Sequence, residues 1–353
     1  MKKKTDQGFP KQLLISLNNT CQYRCEFCAY GRKKHSKTLS SLKWKGLLKE
    51  AYTHGYRDLE IGGQGEPALF KGFSGIVTCA HGLGFRIKLL SNIQAKRAII
   101  PVLPRLAELT INMNALDEGQ FQGIHRPAKR LSFDRALSCL AACVSAKAQA
   151  RVNISYVVHK KNFYQAPEFP RGLFDILRDR FSIRKPIVIN YHHMLIVPWN
   201  YALCPDQKDL KKMVQILELA RGNVFLRTFT NIEDFFEQTK RLLRFRALIG
   251  PLTQNSFPDN GNFLVAKKLS GRLGCSAHQD MTFIDCNGDV FGCYNPTRMI
   301  YGLPAREDQM YYGNVLKASF DELLDRQKDK ALFRPDLTQR FWKPCIICGL
   351  KTA

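Results

Sequence analysis

From residue 11 to about residue 230 the chain alternates short apolar runs with amphipathic stretches, six times over. Strand-like segments fall near 12–18, 57–61, 85–91, 108–113, 151–158 and 186–197. Each is short and rich in aliphatic residues, and longer segments with helix-like spacing separate them. Ser40 or Ser41 is placed to cap the first helix, which carries Leu42, Leu47, Leu48 and Ala51 toward one face. Ser132 is placed to cap another, through Ala136, Leu137 and Leu140. Strands joined by helices form a parallel sheet with right-handed crossovers. Six units are too few to close an eight-fold barrel. The expected fold class is therefore α/β, with a partial (β/α)6 barrel over residues 11–230. Ligands of such sheets lie at the carboxyl ends of the strands.

The first of those ends holds Cys21, Cys25 and Cys28, spaced C-x3-C-x2-C behind Leu13-Leu14-Ile15-Ser16-Leu17. Three thiolates in one loop can bind three irons of a four-iron cluster and leave the fourth without a protein ligand. An iron–sulfur cluster with four cysteines is a closed electron carrier. An open coordination position usually means chemistry. A zinc knuckle is the alternative use of such a triplet. The second strand ends in Gly62-Gly63-Gln64-Gly65-Glu66-Pro67. Glycines there let the backbone approach a ligand closely, and Glu66 is an acceptor able to hold an ammonium group.

The segment from Asn19 to Cys28, with Phe27 before the third cysteine, resembles the cluster loop of the radical S-adenosylmethionine (radical SAM) superfamily. The resemblance implies a 4Fe–4S cluster on Cys21, Cys25 and Cys28, with SAM on the open iron. It also implies reductive cleavage of SAM to a 5′-deoxyadenosyl radical that takes a hydrogen atom from the substrate. The Gly62, Gly63, Gly65, Glu66 and Pro67 stretch resembles the segment that binds the SAM amino group. Ser91 and Asn92, ending the third strand, stand where this superfamily often contacts SAM or substrate.

A second group of thiols lies near the C-terminus. Met281-Thr282-Phe283-Ile284-Asp285 and Asp289-Val290-Phe291 read as two strands joined at Asn287-Gly288, a hairpin signal, between Cys275 and Cys293. Cys345 and Cys348 follow as C-x2-C. Together they make a four-thiolate site for zinc or an iron–sulfur cluster, which spacing alone does not separate. Adding Gly313-Asn314-Val315 and a helix from about 319, the segment resembles the one-cluster twitch form of the SPASM/twitch branch, in the layout of 2-deoxy-scyllo-inosamine dehydrogenase. That implies an auxiliary 4Fe–4S cluster on Cys275, Cys293, Cys345 and Cys348, suited to accept an electron in a two-electron oxidation. The expected organisation is a barrel over 11–230, a connecting helix and linker over 231–274, and a small twitch domain over 275–353 with a β-hairpin and a helix.

Other residues follow from position. Asn112 and Asn114 end the fourth strand, and the next loop holds Asp117, His125 and Arg126. Asn153 and Ser155 lie on the fifth strand, and Tyr191, His192 and His193 on the sixth. Neighbours on a strand face opposite ways, so His192 and His193 do not share one ion. Cys204 follows the sixth strand, where some radical SAM epimerases carry a hydrogen-donating thiol. Cys204, Tyr191 and Arg126 are the candidate catalytic residues. Cys79, Cys139 and Cys143 fall in helical segments and read as core thiols, and Cys286 as a turn residue.

The chain has 54 Lys and Arg against 30 Asp and Glu, a net charge of +24. Residues 275–353 carry ten of each sign, so the excess sits in the barrel and linker, with concentrations at Lys2–Lys4, Arg32-Lys33-Lys34 with Lys37, Arg126 to Arg130 and Lys240 to Arg246. Such a field attracts anions, nucleic acid included. A small polar metabolite is the favoured substrate, with a nucleic acid or nucleotide, or a ribosomal peptide, as alternatives. The barrel begins within about a dozen residues of Met1, which counts against a leader-binding domain ahead of it. The chemistry also calls for an external electron donor such as flavodoxin or ferredoxin. No apolar run approaches a membrane span or a signal peptide, and twelve cysteines at metal spacings suit a reducing, cytoplasmic setting.

Overall fold

The computed structural model describes residues 12–28, 30, 38–146, 148–185, 187–194, 202–249, 281–292 and 311–332. Its centre is a parallel run of six strands: β1 (Gln12–Ile15), β2 (Asp58–Ile61), β3 (Arg86–Ser91), β4 (Glu108–Asn112), β5 (Arg151–Val158) and β6 (Val188–His193). Between them run α1 (Ser41–Thr53), α2 (Phe73–Leu83), the short α3 (Lys96–Ile99), α4 (Glu118–His125), α5 (Phe133–Ser145) and α6 (Phe169–Phe181). Ser40 caps α1 by accepting from the Lys43 amide at 3.2 Å, and Ser132 caps α5 through Arg135 at 3.2 Å. Beyond β6 come α7 (Gln207–Ala220), α8 (Val224–Phe229) and α9 (Ile232–Ile249).

The two faces of this sheet differ. Leu59, Ile61, Ile87, Leu89, Leu109 and Ile111 are buried against a helix layer that includes Leu47, Leu48, Ile76 and Val77. Their strand neighbours on the other face are only half-buried in β2, β3 and β4. A parallel sheet covered equally on both sides would be apolar on both. Here the inner face is polar. Register places Glu60, Lys88, Glu108 and Arg151 side by side across β2 to β5, an alternation of charge closed by the Glu108–Arg151 ion pair at 2.8 Å. Nearer the carboxyl ends the same face carries Thr110 beside Asn153, then Asn112, Ser155 and Asn190 in one row.

The C-terminal hairpin does not stand apart. Strand β7 (Met281–Ile284) pairs in parallel with the free edge of β1, matching Gln12 with Met281 through Ile15 with Ile284. Strands β8 (Asp289–Phe291) and β9 (Tyr311–Asn314) continue antiparallel, so one nine-stranded sheet runs β6-β5-β4-β3-β2-β1-β7-β8-β9. Leu14, Phe283 and Phe291 form a small apolar cluster on this side. Helix α10 (Phe320–Leu332) covers the other. There the Thr282 hydroxyl joins the Tyr56 hydroxyl at 2.6 Å and the Gln327 amide oxygen at 2.8 Å. Gly288 carries the hairpin turn at φ +89°, a left-handed angle that glycine adopts without strain.

Candidate cluster and SAM site

The loop leaving β1 is built by hydrogen bonds to three neighbouring strand exits. Asn18 donates from Nδ2 to the Glu66 carbonyl at 3.0 Å and accepts from the Thr20 amide at 2.8 Å. The Glu66 amide donates to the Thr20 carbonyl at 2.8 Å. Gly65 lies so close that a Cβ there would sit 2.4 Å from Asn18 Oδ1 and 2.6 Å from the Thr20 carbonyl oxygen. Gly62 donates its amide to the Ile15 carbonyl at 3.0 Å, and Gly63 lies against Ser16. Thus the glycine stretch and the cluster loop are pressed together, and Pro67 opens the short 3-10 turn that follows.

Glu66 accepts three hydrogen bonds within the chain. It accepts from the Ser91 hydroxyl at 2.8 Å, the Asn92 amide at 2.8 Å and the Ala68 amide at 3.3 Å. Burial pushes its carboxyl up to about 7, opposed by those donors. These three bonds fix the β3 exit beside the loop and leave the second carboxylate oxygen able to accept one donor more.

Each sulfur of the triplet lies against a nitrogen. Cys21 Sγ accepts from the Tyr23 amide at 3.4 Å and from Asn92 Nδ2 at 3.5 Å. Cys28 Sγ accepts from the Tyr30 amide at 3.4 Å. Cys25 Sγ lies 3.3 Å from His125 Nδ1. Desolvation raises the Cys21 thiol to about 11 and holds Cys25 well above the usual range, and the Cys28 sulfur adds to both. Among the described residues no three His, Cys, Asp or Glu side chains converge on a single ion. Thiolates of a four-iron cluster bind separate irons and need no such convergence. A loop whose sulfurs are each met by a donor fits a cluster, because N–H groups on the sulfurs compensate its negative charge.

The sequence places His125 among the candidates in the loop after the fourth strand, and the structure sets it against Cys25 of the triplet. Asp117 caps α4, accepting from the Gln120 amide at 2.8 Å, and the helix ends at Arg126 with φ +45°. That turn runs residues 124–128 along the cluster loop. Arg24 N donates to the His125 and Arg126 carbonyls, Glu26 N to Ile124, and Ala128 N to Gln22, at 2.9 to 3.2 Å. His125 is wholly buried against Tyr23, Phe27 and Phe121, and burial lowers its pKa to about 3. His159, just past β5, carries no signal in the sequence. It lies near Phe27 with its Nε2 buried and unpartnered, and burial lowers its pKa to about 4.

The three candidate catalytic residues part company. Arg126 points its guanidinium at Glu26 of the cluster loop, 3.0 Å away, a carboxylate shared with Lys161 at 2.8 Å. Tyr191 is not brought to the site. It faces the helix layer with Tyr156 and Phe235, and its hydroxyl donates to the Ala166 carbonyl at 2.6 Å. Cys204 is buried beside the β5 exit, where Leu203 O accepts from Lys160 N at 2.9 Å. On β6, His192 is exposed on the inner side, and His193 is buried outward, stacked on Phe235 and 3.0 Å from the Thr239 hydroxyl. Cys139, Cys143 and Cys286 are buried, and Cys143 and Cys286 are both pushed up to about 12 by desolvation. The auxiliary ligands Cys275, Cys293, Cys345 and Cys348, and the basic run Arg32 to Lys37, lie outside the described residues.

A partial parallel barrel with a three-cysteine loop at its first strand exit is the arrangement expected of a radical SAM protein. Residues 275–349 match the SPASM family, an iron–sulfur cluster-binding domain, and span all four C-terminal cysteines. Over nearly the whole chain the fold is similar to Streptococcus suis SuiB in the structure bound to precursor peptide SuiA, with a TM-score of 0.61 at 16% identity, covering 97% of this chain and 70% of that one. In sequence, 88 residues are 33% identical to the sporulation killing factor maturation protein SkfB of Bacillus subtilis (strain 168). Another 78-residue match is 28% identical to an S-adenosylmethionine-dependent nucleotide dehydratase of Selenomonas ruminantium. These matches cover 25% and 22% of this chain, and only 21% and 28% of the two relatives' own lengths. Residues 275–349 thus carry a SPASM-type iron–sulfur cluster-binding domain, on a chain whose fold is that of SuiB. The cofactors of this class are SAM, a 4Fe–4S cluster that works with it, and an auxiliary iron–sulfur centre in the C-terminal domain. Among the described residues no helix is long and apolar enough to cross a membrane.

Proposed function

We propose that this chain cleaves SAM reductively and takes a carbon-bound hydrogen from a small polar metabolite, in a net two-electron oxidation. The observation that carries the reading is the Cys21, Cys25 and Cys28 loop, with a nitrogen against every sulfur, at the carboxyl end of a parallel sheet. When bound there, the cluster and SAM supply a 5′-deoxyadenosyl radical. The chain's own part is to hold and shield. Asn18, Gly65 and Glu66 lock the loop to the β2 and β3 exits, and Phe27 and His125 pack around it. Cys275, Cys293, Cys345 and Cys348 would hold the auxiliary centre.

The polar inner face supports a polar substrate. Thr110, Asn112, Ser155 and Asn190 line it, and Asn153 Oδ1 is buried there with no hydrogen-bond partner. A buried acceptor left unpaired costs roughly 1–3 kcal/mol, which a bound donor would recover. A second reading, modification of a ribosomal peptide, is favoured by the likeness to SuiB and SkfB, and a nucleotide substrate by the dehydratase match. A one-electron donor of the flavodoxin or ferredoxin class is the partner that any of these requires.

The test is anaerobic. Reconstituted protein with SAM and dithionite is expected to release 5′-deoxyadenosine, and the variant with Cys21, Cys25 and Cys28 all changed to alanine to release none. Release by that variant would sink the assignment. Metabolite, peptide and nucleotide pools incubated with the enzyme are then compared by mass, and a loss of two hydrogens in one pool names the substrate class.

A further inference from the structure

We propose that His125 is a positioning residue that donates its Nδ1–H to the thiolate of Cys25 and thereby raises the reduction potential of the cluster bound there. The inference rests on the proposed use of Cys21, Cys25 and Cys28 as cluster ligands, and adds a residue that tunes the centre they hold.

The tautomer follows from the hydrogen bonds. A neutral imidazole has one donor and one acceptor nitrogen. The Asn114 amide points at His125 Nε2 from 3.2 Å, and a backbone N–H can only donate. Nε2 is therefore the acceptor, and Nδ1 carries the proton. The sulfur of Cys25 lies 3.3 Å from Nδ1. The ring has no freedom to turn away. It is fully buried, Phe121 lies beside it at 5.2 Å between centroids, Tyr23 at 5.4 Å and Phe27 at 6.0 Å. Its own backbone carbonyl is tied to Arg24 in the cluster loop at 3.1 Å. Asn114 is fixed in turn, since its Oδ1 accepts from the Val157 amide and its Nδ2 donates to Asn112 at 2.6 Å. A chain of bonds thus runs from β5 through the β4 exit to a cluster sulfur.

Reduction adds one electron to the cluster, delivered by the external donor, and no proton. The added charge spreads onto the sulfurs, and an N–H aimed at one of them stabilises the reduced state more than the oxidised one. Losing that donor should make the cluster harder to reduce. The other N–H groups at the triplet do not depend on His125, being the Tyr23 and Tyr30 amides and Asn92, so the site should still load iron.

The experiment uses the full reconstituted chain and follows the SAM-responsive electron paramagnetic resonance signal, which separates this cluster from the auxiliary one. In His125→Leu the ratio of reduced to oxidised cluster at a fixed potential is expected to fall about tenfold, a shift of about 59 mV for one electron. His125→Asn, whose side-chain amide can place an N–H near the Nδ1 position, should recover most of it. With 15N-histidine in the wild type, a nitrogen coupling to the reduced cluster is expected, and it should vanish in His125→Leu. An unchanged potential in an iron-loaded His125→Leu chain, or no histidine coupling in the wild type, overturns the proposal. Should His125→Leu fail to load iron, the wild-type coupling and the His125→Asn potential decide it. Absence of 5′-deoxyadenosine in the wild type would defeat the proposed function and leave these two readouts standing.

Discussion

Strand β1 carries the cluster loop, and its two flanks are held by different physics. On the β2 side the contact is backbone against backbone. Gly65 lets the stretch 62–67 press onto Asn18 and Thr20, Asn18 donates to the Glu66 carbonyl, and the Ser16 hydroxyl accepts from the Gln64 amide. On the β7 side the strand pairing is equally regular, but side chains do the joining, through Leu14, Phe283 and Phe291 on one face and Tyr56, Thr282 and Gln327 on the other. The β2 flank leaves no room for a side chain, as a surface meant to meet a ligand with its backbone requires. The β7 flank is packed like any domain core.

The sharpest way to break that contrast is Gly65→Ala. The new methyl would lie 2.4 Å from Asn18 Oδ1 and 2.6 Å from the Thr20 carbonyl, neither of which can move without shifting the cluster loop. A loss of roughly 3 kcal/mol is expected, together with loss of SAM cleavage. Denaturant midpoints and 5′-deoxyadenosine release check it, and a neutral result would remove the close approach from the account.

On the β7 flank, Thr282→Val keeps the shape and deletes a hydroxyl that serves two buried partners. About 2 kcal/mol should be lost, but SAM cleavage per folded molecule should stay at the wild-type level. A drop in cleavage matching that of Gly65→Ala would show that the two flanks are not separable.

The smallest effect is a pH slope. Asp285, at the end of β7, accepts from the Asn287 and Asp289 amides at 2.8 and 2.9 Å, and burial followed by the Asp289 charge raises its carboxyl to about 7. The folded state therefore binds this proton more tightly than the unfolded one. The stabilisation is complete below the ordinary aspartate value near 3.8 and is lost as pH rises through about 7. Stability should fall by about 1 kcal/mol per pH unit across that window, and Asp285→Asn at equal iron content should lack this component. Equal slopes for the two proteins in urea titrations at several pH values would show that Asp285 titrates normally.

Much of this layout can be read from the residues. Alternating apolar runs locate all six barrel strands to within a few residues, because parallel strands advertise themselves by β-branched and leucine-rich runs. Ser40 and Ser132 mark real helix starts by local chemistry. The failures are of another kind. Tyr191 lies at a strand's carboxyl end, but it shares parity with Ile189 and His193, and that set faces the helices. The alternation that separates His192 from His193 also sends Tyr191 outward. His125 meets a cysteine a hundred positions away. It does so because of the length of α4 and a left-handed Arg126, and neither carries a periodic signal. The pairing of β7 with β1 is equally hidden, since an edge strand does not announce which distant segment will cover it.

With β2 on one side and β7 on the other, β1 presents no bare edge. Its amides can meet solvent only when two ladders open, so they belong among the slowest in the molecule to exchange with deuterium. The converse follows. A nascent chain that has made its first six strands but not yet residue 281 carries Gln12–Ile15 as an exposed, largely aliphatic template for another copy's strand. Covering that edge is thus a second consequence of the β7 pairing, and it is complete only once Met281–Ile284 has been made.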